Sequence, residues 1–360
     1  MVKIIITAGG TAGHINPAIA IIKKFLELEK NLEILYIGTH NRMEKEIIPK
    51  MGIKYEELEI YGFSKTNIIR DLKNINLIRK AKKKCLKIMA EFKPDVVIGV
   101  GGYVTYPVLK AAKKLGIKTV IHEQNSIPGK SNIILSHFVD LVCISFQNSK
   151  EYFNNAKKVV YTGNPCGDRA LTLIKKDKVS LGFKKYKKLI IIVAGSLGSS
   201  TFNEKFKAFL NLVGKEDYEI LYITGKKLYD EFVKNQNFPQ NVKVVSYVEE
   251  LNRLMKDADL IITRAGASTI SEILALNIPS ILIPSPNVAN NHQYYNALDL
   301  VNLEVATLIE EKNLTAEVIQ VAIHEIFTEK KYREMKNNLG KLNVKKSSEI
   351  IYEEIKGLLK

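Results

Sequence analysis

Residues 1–20 read MVKIIITAGGTAGHINPAIA. A β-branched apolar run, VKIIITA, meets Gly9 and Gly10, and a helix pattern begins directly after Gly13 and His14. Strand, glycine turn and helix in that order open a parallel α/β sheet. Glycines let backbone approach a ligand closely, and the helix start offers N–H groups that have no intrahelical acceptor. The spacing is G-G-x-x-G rather than the dinucleotide pattern G-x-G-x-x-G, and the second strand ends in YIGTHNR with no carboxylate for a ribose. A nicotinamide site is therefore not expected. A tight turn without a ligand accounts for the glycines equally well. An imidazole at a helix start, facing the strand ends, is placed to take a proton from a hydroxyl. A hydrogen-bonded His14 that merely caps the turn would look the same in sequence.

Outward from that turn the alternation continues. VKIIITA, EILYIG, DVVIGV, KTVIHE and LVCIS are the strand candidates of the first half; LIIIVAGS, EILYITG, VKVVSY, LIITRAG and SILIP are those of the second. Helix patterns separate them, so an α/β fold is expected, with two doubly wound parallel-sheet (Rossmann-like) domains. Strand ends of this kind are where open α/β sheets place ligands. The domains are read as 1–164 and 165–344, joined near GNPCGDRALTLIKKDK, with an amphipathic closing helix at 345–360 that packs back on the first domain.

At 360 residues the chain suits two cores rather than one. With 46% hydrophobic and 26% charged residues it reads as globular and soluble. No apolar run approaches the roughly 20 residues that a membrane-spanning helix requires, and VKIII is too short for a signal peptide. Cys85, Cys143 and Cys166 are widely spaced and form no C-x-x-C pair, which argues against disulfides and zinc and for a reducing cytoplasm. The formal charge of +16 asks for an anionic partner. Residues 1–165 hold 26 Lys+Arg against 14 Asp+Glu, and the remainder 28 against 24, so the excess belongs to the first half.

The second half has glycine turns of its own. GSLGSSTFN puts Ser196 and Gly198 at a phosphate-friendly helix start. LIITRAGASTISEILA puts Gly266, Ala267, Ser268 and Thr269 at another, where hydroxyls and helix N–H groups can hold a diphosphate. Glu272 follows one turn later, where a carboxylate can accept from two ribose hydroxyls. The competing reading is a Ser-x-x-Glu capping box, which Ser268 matches imperfectly. Asp257-Ala258-Asp259 is the metal candidate, but it precedes the strand LIIT and so belongs to the sheet edge opposite the ligand edge. It reads as a helix-to-strand connector.

GGTAGH, GVGGYVTYP, HEQNSIPG, GNP, GSLGS, RAGASTISE and NNHQYYNA occur together in the order of the MurG glycosyltransferases, and from Thr7 to the closing helix the chain resembles that family. The resemblance implies glycosyltransferase fold B, its two domains facing a cleft. It implies inverting transfer of N-acetylglucosamine from UDP-N-acetylglucosamine to the muramoyl 4-hydroxyl of undecaprenyl-pyrophosphoryl-muramoyl-pentapeptide (lipid I), giving lipid II in peptidoglycan synthesis. Residue by residue, Thr11, Ala12 and Gly13 match the turn facing donor and acceptor diphosphate, and His14 the general base. Asn125 matches a donor contact, Ser196 the donor-binding serine, and Val248 the position whose backbone reads uracil. Ala267, Ser268, Thr269, Ile270, Ser271 and Glu272 match the diphosphate and ribose segment. Gln293 matches the glutamine that contacts the sugar, beside His292, where relatives often carry another glutamine. Many relatives read GNPVR, with an arginine facing the donor, whereas this chain reads GNPCGDR, with Gly167 at that place and Arg169 two residues later.

Neither metal nor cofactor is expected. Helix N–H groups and the hydroxyls of Ser196, Ser268 and Thr269 would hold the departing diphosphate, each such donor being worth about 2.7–4 kcal/mol. The segment IIRDLKNINLIRKAKKKCLKI mixes Ile68, Ile69, Leu72, Ile75, Leu77 and Ile78 with lysines and arginines, which suits an anionic bilayer surface. A solvated basic helix over the core would give the same pattern. The expected place is the cytoplasmic face of the cell membrane, peripherally bound. Expected partners are UDP-N-acetylglucosamine, lipid I and cell-wall synthesis proteins; no motif for nucleic acid accompanies the charge. The alternatives are a diacylglycerol glycosyltransferase of the same architecture, a UDP-N-acetylglucosamine 2-epimerase, which needs further acid/base carboxylates that the glycine turns do not show, and a nucleic-acid-binding protein.

Overall fold

This computed structural model describes residues 1–62, 68–195, 198–342 and 346–360, and within them thirteen strands form, all paired in parallel. Ser196 lies outside the described residues, as do the side chains at 68–70 and 72. The chain divides into two units, Met1–Cys166 with Lys345–Lys360, and Gly167–Val344.

In the first unit β1 (Val2–Thr7), β2 (Leu32–Thr39), β3 (Lys54–Leu58), β4 (Val96–Gly99), β5 (Lys118–Glu123), β6 (Leu141–Ile144) and β7 (Val159–Tyr161) form one sheet in the order β3-β2-β1-β4-β5-β6-β7. In the second, β8 (Lys188–Val193), β9 (Tyr218–Ile223), β10 (Val242–Val245), β11 (Leu260–Thr263), β12 (Ser280–Leu282) and β13 (Ala306–Leu308) take the order β10-β9-β8-β11-β12-β13. The winding reverses between β1 and β4 and again between β8 and β11. Each reversal leaves a crevice at the C-terminal strand ends, where open α/β sheets bind ligands. Two doubly wound parallel-sheet domains are thus present, as the alternation of strand and helix patterns implies.

Strand pleating sends Ile5, Leu35 and Val97 to one face of the first sheet and Ile4, Ile6, Tyr36 and Ile98 to the other, all buried. Helices Ile68–Phe92 and Thr105–Lys114 cover the first face; Ala12–Leu28 and Ser347–Leu359 cover the second. Burial on both sides is why these strands read as continuous apolar runs. Ile351 and Ile355 lie in that core, Tyr352 packs edge-on against Phe25 at 5.1 Å, and Lys356 Nζ pairs with Glu29 at 2.5 Å. In the second unit Phe202, Phe206, Phe209, Ile319 and Ile323 bring helices Ser200–Leu212 and Ala316–Phe327 onto Ile190, Ile192 and Tyr222.

Strands β3, β7 and β13 are absent from the sequence reading. All three are edge strands with only one paired neighbour, and KYEEL, VVY and ATL are too short or too polar to announce themselves. In the basic helix, Leu77, Ala81, Cys85, Met89 and Phe92 form a helical stripe on the core, while Lys73, Arg79, Lys80, Lys83 and Lys87 are exposed. Buried Asn74 holds the backbone of Tyr61 through both of its amide atoms. Tyr61 N–H donates to Oδ1 at 2.9 Å, and Nδ2 donates to Tyr61 O at 2.5 Å.

Candidate active site

β1 ends at Thr7, and the chain turns through Gly10 at φ 96°, a left-handed conformation that glycine adopts without strain. Thr11 is the N-cap of helix Ala12–Leu28, yet its hydroxyl does not cap; Oγ1 lies 3.4 Å from His14 Nδ1. Nδ1 also lies 3.2 Å from the carbonyl oxygen of Gly9. A carbonyl can only accept, so Nδ1 carries the hydrogen and the lone pair sits on Nε2. Ala12 and Gly13 occupy the first helical turn, which holds no acidic residue, and their N–H groups have no intrahelical acceptor. An anion is favoured there.

Asn125 belongs to HEQN at the end of β5, and the other three members are buried. His122 Nδ1 accepts from Gln124 Nε2 at 2.9 Å, so Nε2 carries the hydrogen and donates to Gly163 O at 3.1 Å. Burial drives its pKa down to about 4, against the pull of the Gly163 bond, and the ring is neutral at ordinary pH. Gln124 Nε2 also donates to Val100 O at 2.8 Å, which ties β5 to the turn after β4. Glu123 accepts from the N–H groups of Asn125 at 2.9 Å and Gly129 at 3.0 Å, and from Asn132 Nδ2 at 2.8 Å. Three residues therefore brace the loop, and Asn125 is the half-exposed one. The motif resemblance points to Asn125 alone; the bracing roles of His122, Glu123 and Gln124 emerge only from the structure.

In the second unit a cavity of about 470 Å³ opens at the ends of β8, β9 and β11, lined by Gly195, Val248, Arg169, Asn252, Thr269 and Glu272 among others. Gly266, in extended backbone, is the N-cap of helix Ala267–Ala275. Ser268 is therefore not the cap, and the capping-box reading fails. Glu272 instead accepts from Asn252 Nδ2 at 2.9 Å. Burial raises the Glu272 carboxyl above the usual carboxylate range, while the Asn252 bond and the Arg169 charge pull it back. Ser268 Oγ is buried without a protein partner among the described residues, an orphaned hydroxyl at a helix start. Ala267 and Ile270 are buried apolar residues, and Ser271 Oγ donates back to Ser268 O at 2.7 Å. Of the segment 267–272, Thr269 and Glu272 are the residues that line the cavity.

Gln293 does not line it; its Oε1 accepts from Ser285 N–H at 2.9 Å, and His292 Nδ1 donates to Ala289 O at 2.8 Å. Gly167 is pressed onto the backbone of helix Ala267–Ala275, where a Cβ would meet Ser271 O at 2.7 Å. Arg169 lines the cavity and donates to Glu250 Oε1 at 3.3 Å. Arg264, which in sequence is only the end of the strand pattern LIITRAG, is a hub of contacts here. Its guanidinium donates to Ile283 O and Pro284 O, each at 3.3 Å, and to Ser199 Oγ at 3.2 Å, pairs with Glu311, and stacks on Phe202.

Asp257 and Asp259 lie at the opposite edge of that sheet, and both are engaged. Asp257 pairs with Lys175 Nζ at 2.7 Å and accepts from Lys178 N–H at 2.8 Å. Burial pushes its carboxyl up, but the bonds to Lys175 and Lys178 outweigh that and hold it below the ordinary range. Asp259 accepts from Leu189 N–H at 2.8 Å and from the Tyr332 hydroxyl at 3.4 Å. They serve as connectors between helix and strand.

Residues 4–144 match the family model described as the glycosyltransferase family 28 N-terminal domain, and residues 189–351 match the family 28 C-terminal domain. Over 361 residues the chain is 40% identical to the UDP-N-acetylglucosamine--N-acetylmuramyl-(pentapeptide) pyrophosphoryl-undecaprenol N-acetylglucosamine transferase of Bacillus licheniformis, covering 99% of this chain and 98% of that one. It is similar to the crystal structure of Acinetobacter baumannii MurG, with TM-score 0.83, 27% identity, and 99% and 100% of the two chains covered. The UDP-GlcNAc 2-epimerase of Methanocaldococcus jannaschii is 18% identical with TM-score 0.65, over 98% of this chain and 99% of that one; the likeness is one of fold alone.

Proposed function

The chain belongs to the MurG group of glycosyltransferase family 28, and from that premise we infer that it is a hexosyltransferase that moves N-acetylglucosamine from UDP-N-acetylglucosamine onto the muramoyl sugar of lipid I, giving lipid II. The observation that carries this reading is identity at 40% along practically the whole of both chains.

The first unit takes the acceptor and meets the membrane; the second takes the UDP-sugar. In the first, His14 Nε2 accepts the proton of the muramoyl 4-hydroxyl as its oxygen bonds to the anomeric carbon of the donor. The bond from that carbon to the UDP oxygen breaks on the opposite face, so the configuration inverts. The electron pair leaves with UDP, whose growing charge is met by the N–H groups at the start of helix Ala267–Ala275 and by the hydroxyls of Ser268 and Thr269. Glu272 accepts from the ribose hydroxyls, Val248 borders uracil, and Ser196, Asn125 and Gln293 complete the donor contacts. Thr11, Ala12 and Gly13 receive the acceptor diphosphate at a helix start free of acidic residues.

The protein acts peripherally at the cytoplasmic membrane face, with other cell-wall synthesis proteins as partners. Among the described residues no helix is long and apolar enough to cross a membrane, and the basic excess of the first half supplies attraction to anionic lipid. The deciding experiment is radiolabelled sugar transfer from UDP-N-acetylglucosamine to a lipid I analogue, with diacylglycerol as the rival acceptor. Labelled lipid II product is expected; transfer to diacylglycerol alone would sink the reading.

A further inference from the structure

Two glycines in the turn after β4 press on the turn after β1, in different ways. Gly102, at φ 88°, abuts the backbone carbonyl of Gly9, so a Cβ there would meet main chain. Gly101, at φ 112°, abuts a side chain: a Cβ would stand 2.6 Å from His14 Cδ2 and 3.0 Å from Nε2. Nonbonded carbon contacts settle at about 3.5–4.0 Å, so the ring could not stay where it is. The same residues are also joined by hydrogen bonds. Gly9 N–H donates to Gly101 O at 3.2 Å, and Gly9 O accepts from His14 Nδ1 at 3.2 Å. The imidazole is held at one edge by a carbonyl and flanked on one side by bare backbone.

We propose that Gly101 is a positioning residue for His14: its missing side chain is the slot that sets the tilt of the ring, and with it the direction of the Nε2 lone pair. The proposal rests on the reading of His14 as the base. Its chemical content is steric and directional. Proton transfer requires the acceptor nitrogen to point at the hydroxyl within hydrogen-bond reach, and a ring turned aside loses that aim.

The test is a double-mutant cycle on the full-length protein, with Gly101→Ala, His14→Ala and both together. Transfer rate, UDP affinity and melting temperature are measured on each. Gly101→Ala is expected to lower kcat by about 10²-fold, the typical effect of a misplacement near 1 Å, and to leave UDP affinity unchanged. In the His14→Ala background the same substitution should have little further effect on kcat, because no ring remains to displace. The backbone strain of an alanine at that φ is common to both backgrounds and cancels in the cycle. An unchanged kcat for Gly101→Ala, or equal losses in both backgrounds, would overturn the proposal. A normal rate for His14→Ala is a separate result: it removes the base reading itself, and the positioning role with it. Should Gly101→Ala fail to fold, the double variant still decides. Recovery of folding on removing the ring supports the slot, and failure of both variants overturns it.

Discussion

A base and a turn-closing histidine fail differently when His14 is replaced. His14→Ala loses the bond to Gly9 O, a net of about 0.5–1.5 kcal/mol, so a small fall in melting temperature accompanies either role. Loss of a general base adds a drop in kcat of about 10²–10⁴-fold with UDP affinity kept. A variant that melts early yet turns over normally would make the histidine structural. Glu272 offers a similar separation in the second unit. Glu272→Gln keeps the size and can still accept from Asn252, but it removes a charge that burial already disfavours. Hydrogen bonds to charged groups contribute about 1 kcal/mol or more beyond neutral ones, so UDP should bind several-fold to tenfold more weakly, with the fold intact. Calorimetry checks it. Unchanged affinity would leave Glu272 as a partner of Asn252 alone.

At the scale of elements, the end of β5 is a brace whose pH response follows from His122. Burial lowers its pKa to about 4 from 6.5, so between those values the unfolded chain binds a proton that the folded chain refuses. Stability therefore falls as pH drops through that window and levels off below about pH 4. The contribution is on the order of 2 kcal/mol between pH 7 and pH 5. His122→Asn should lower stability at pH 7 yet flatten the slope between the two values, as read from urea unfolding of the first unit. An unaltered slope would mean that other groups set the acid response.

For the whole molecule, the last residues of the chain belong to the core of its first unit. Ile355 is fully buried there, so Ile355→Ala should cost about 2–5 kcal/mol of that unit's stability. UDP binding, which we assign to the second unit, should be spared; a loss confined to UDP affinity would contradict this. The charge asymmetry predicts binding to anionic vesicles that weakens with salt. Each exposed lysine near a bilayer contributes about 1 kcal/mol, so replacing Lys80, Lys83 and Lys87 by alanine should lower partition on the order of a hundredfold. Sedimentation with anionic and with zwitterionic vesicles measures it. Equal binding to both would remove the electrostatic account.

What local chemistry governs could be read from the amino-acid string alone. VKIIITAGG leaves its strand by a glycine turn, and Gly10 is free to take the φ of 96° found there; the apolar runs of β1, β4, β8 and β11 are continuous because both faces are buried. Family membership was also legible, because its motifs are short contiguous strings. The edge strands β3, β7 and β13 were not, since a strand with one neighbour needs little hydrophobic pattern. Nor were the roles inside the motifs: that His122, Glu123 and Gln124 turn inward while Asn125 does not, that Gly266 rather than Ser268 caps its helix, that Arg264 ties the turn after β8 to the end of β12, or that Gly101 leaves room for the His14 ring. Each of these depends on which distant backbone lies alongside. Backbone propensity and periodicity act over a few residues, whereas contacts between the ends of β1 and β4 exist only once the sheet has brought them together.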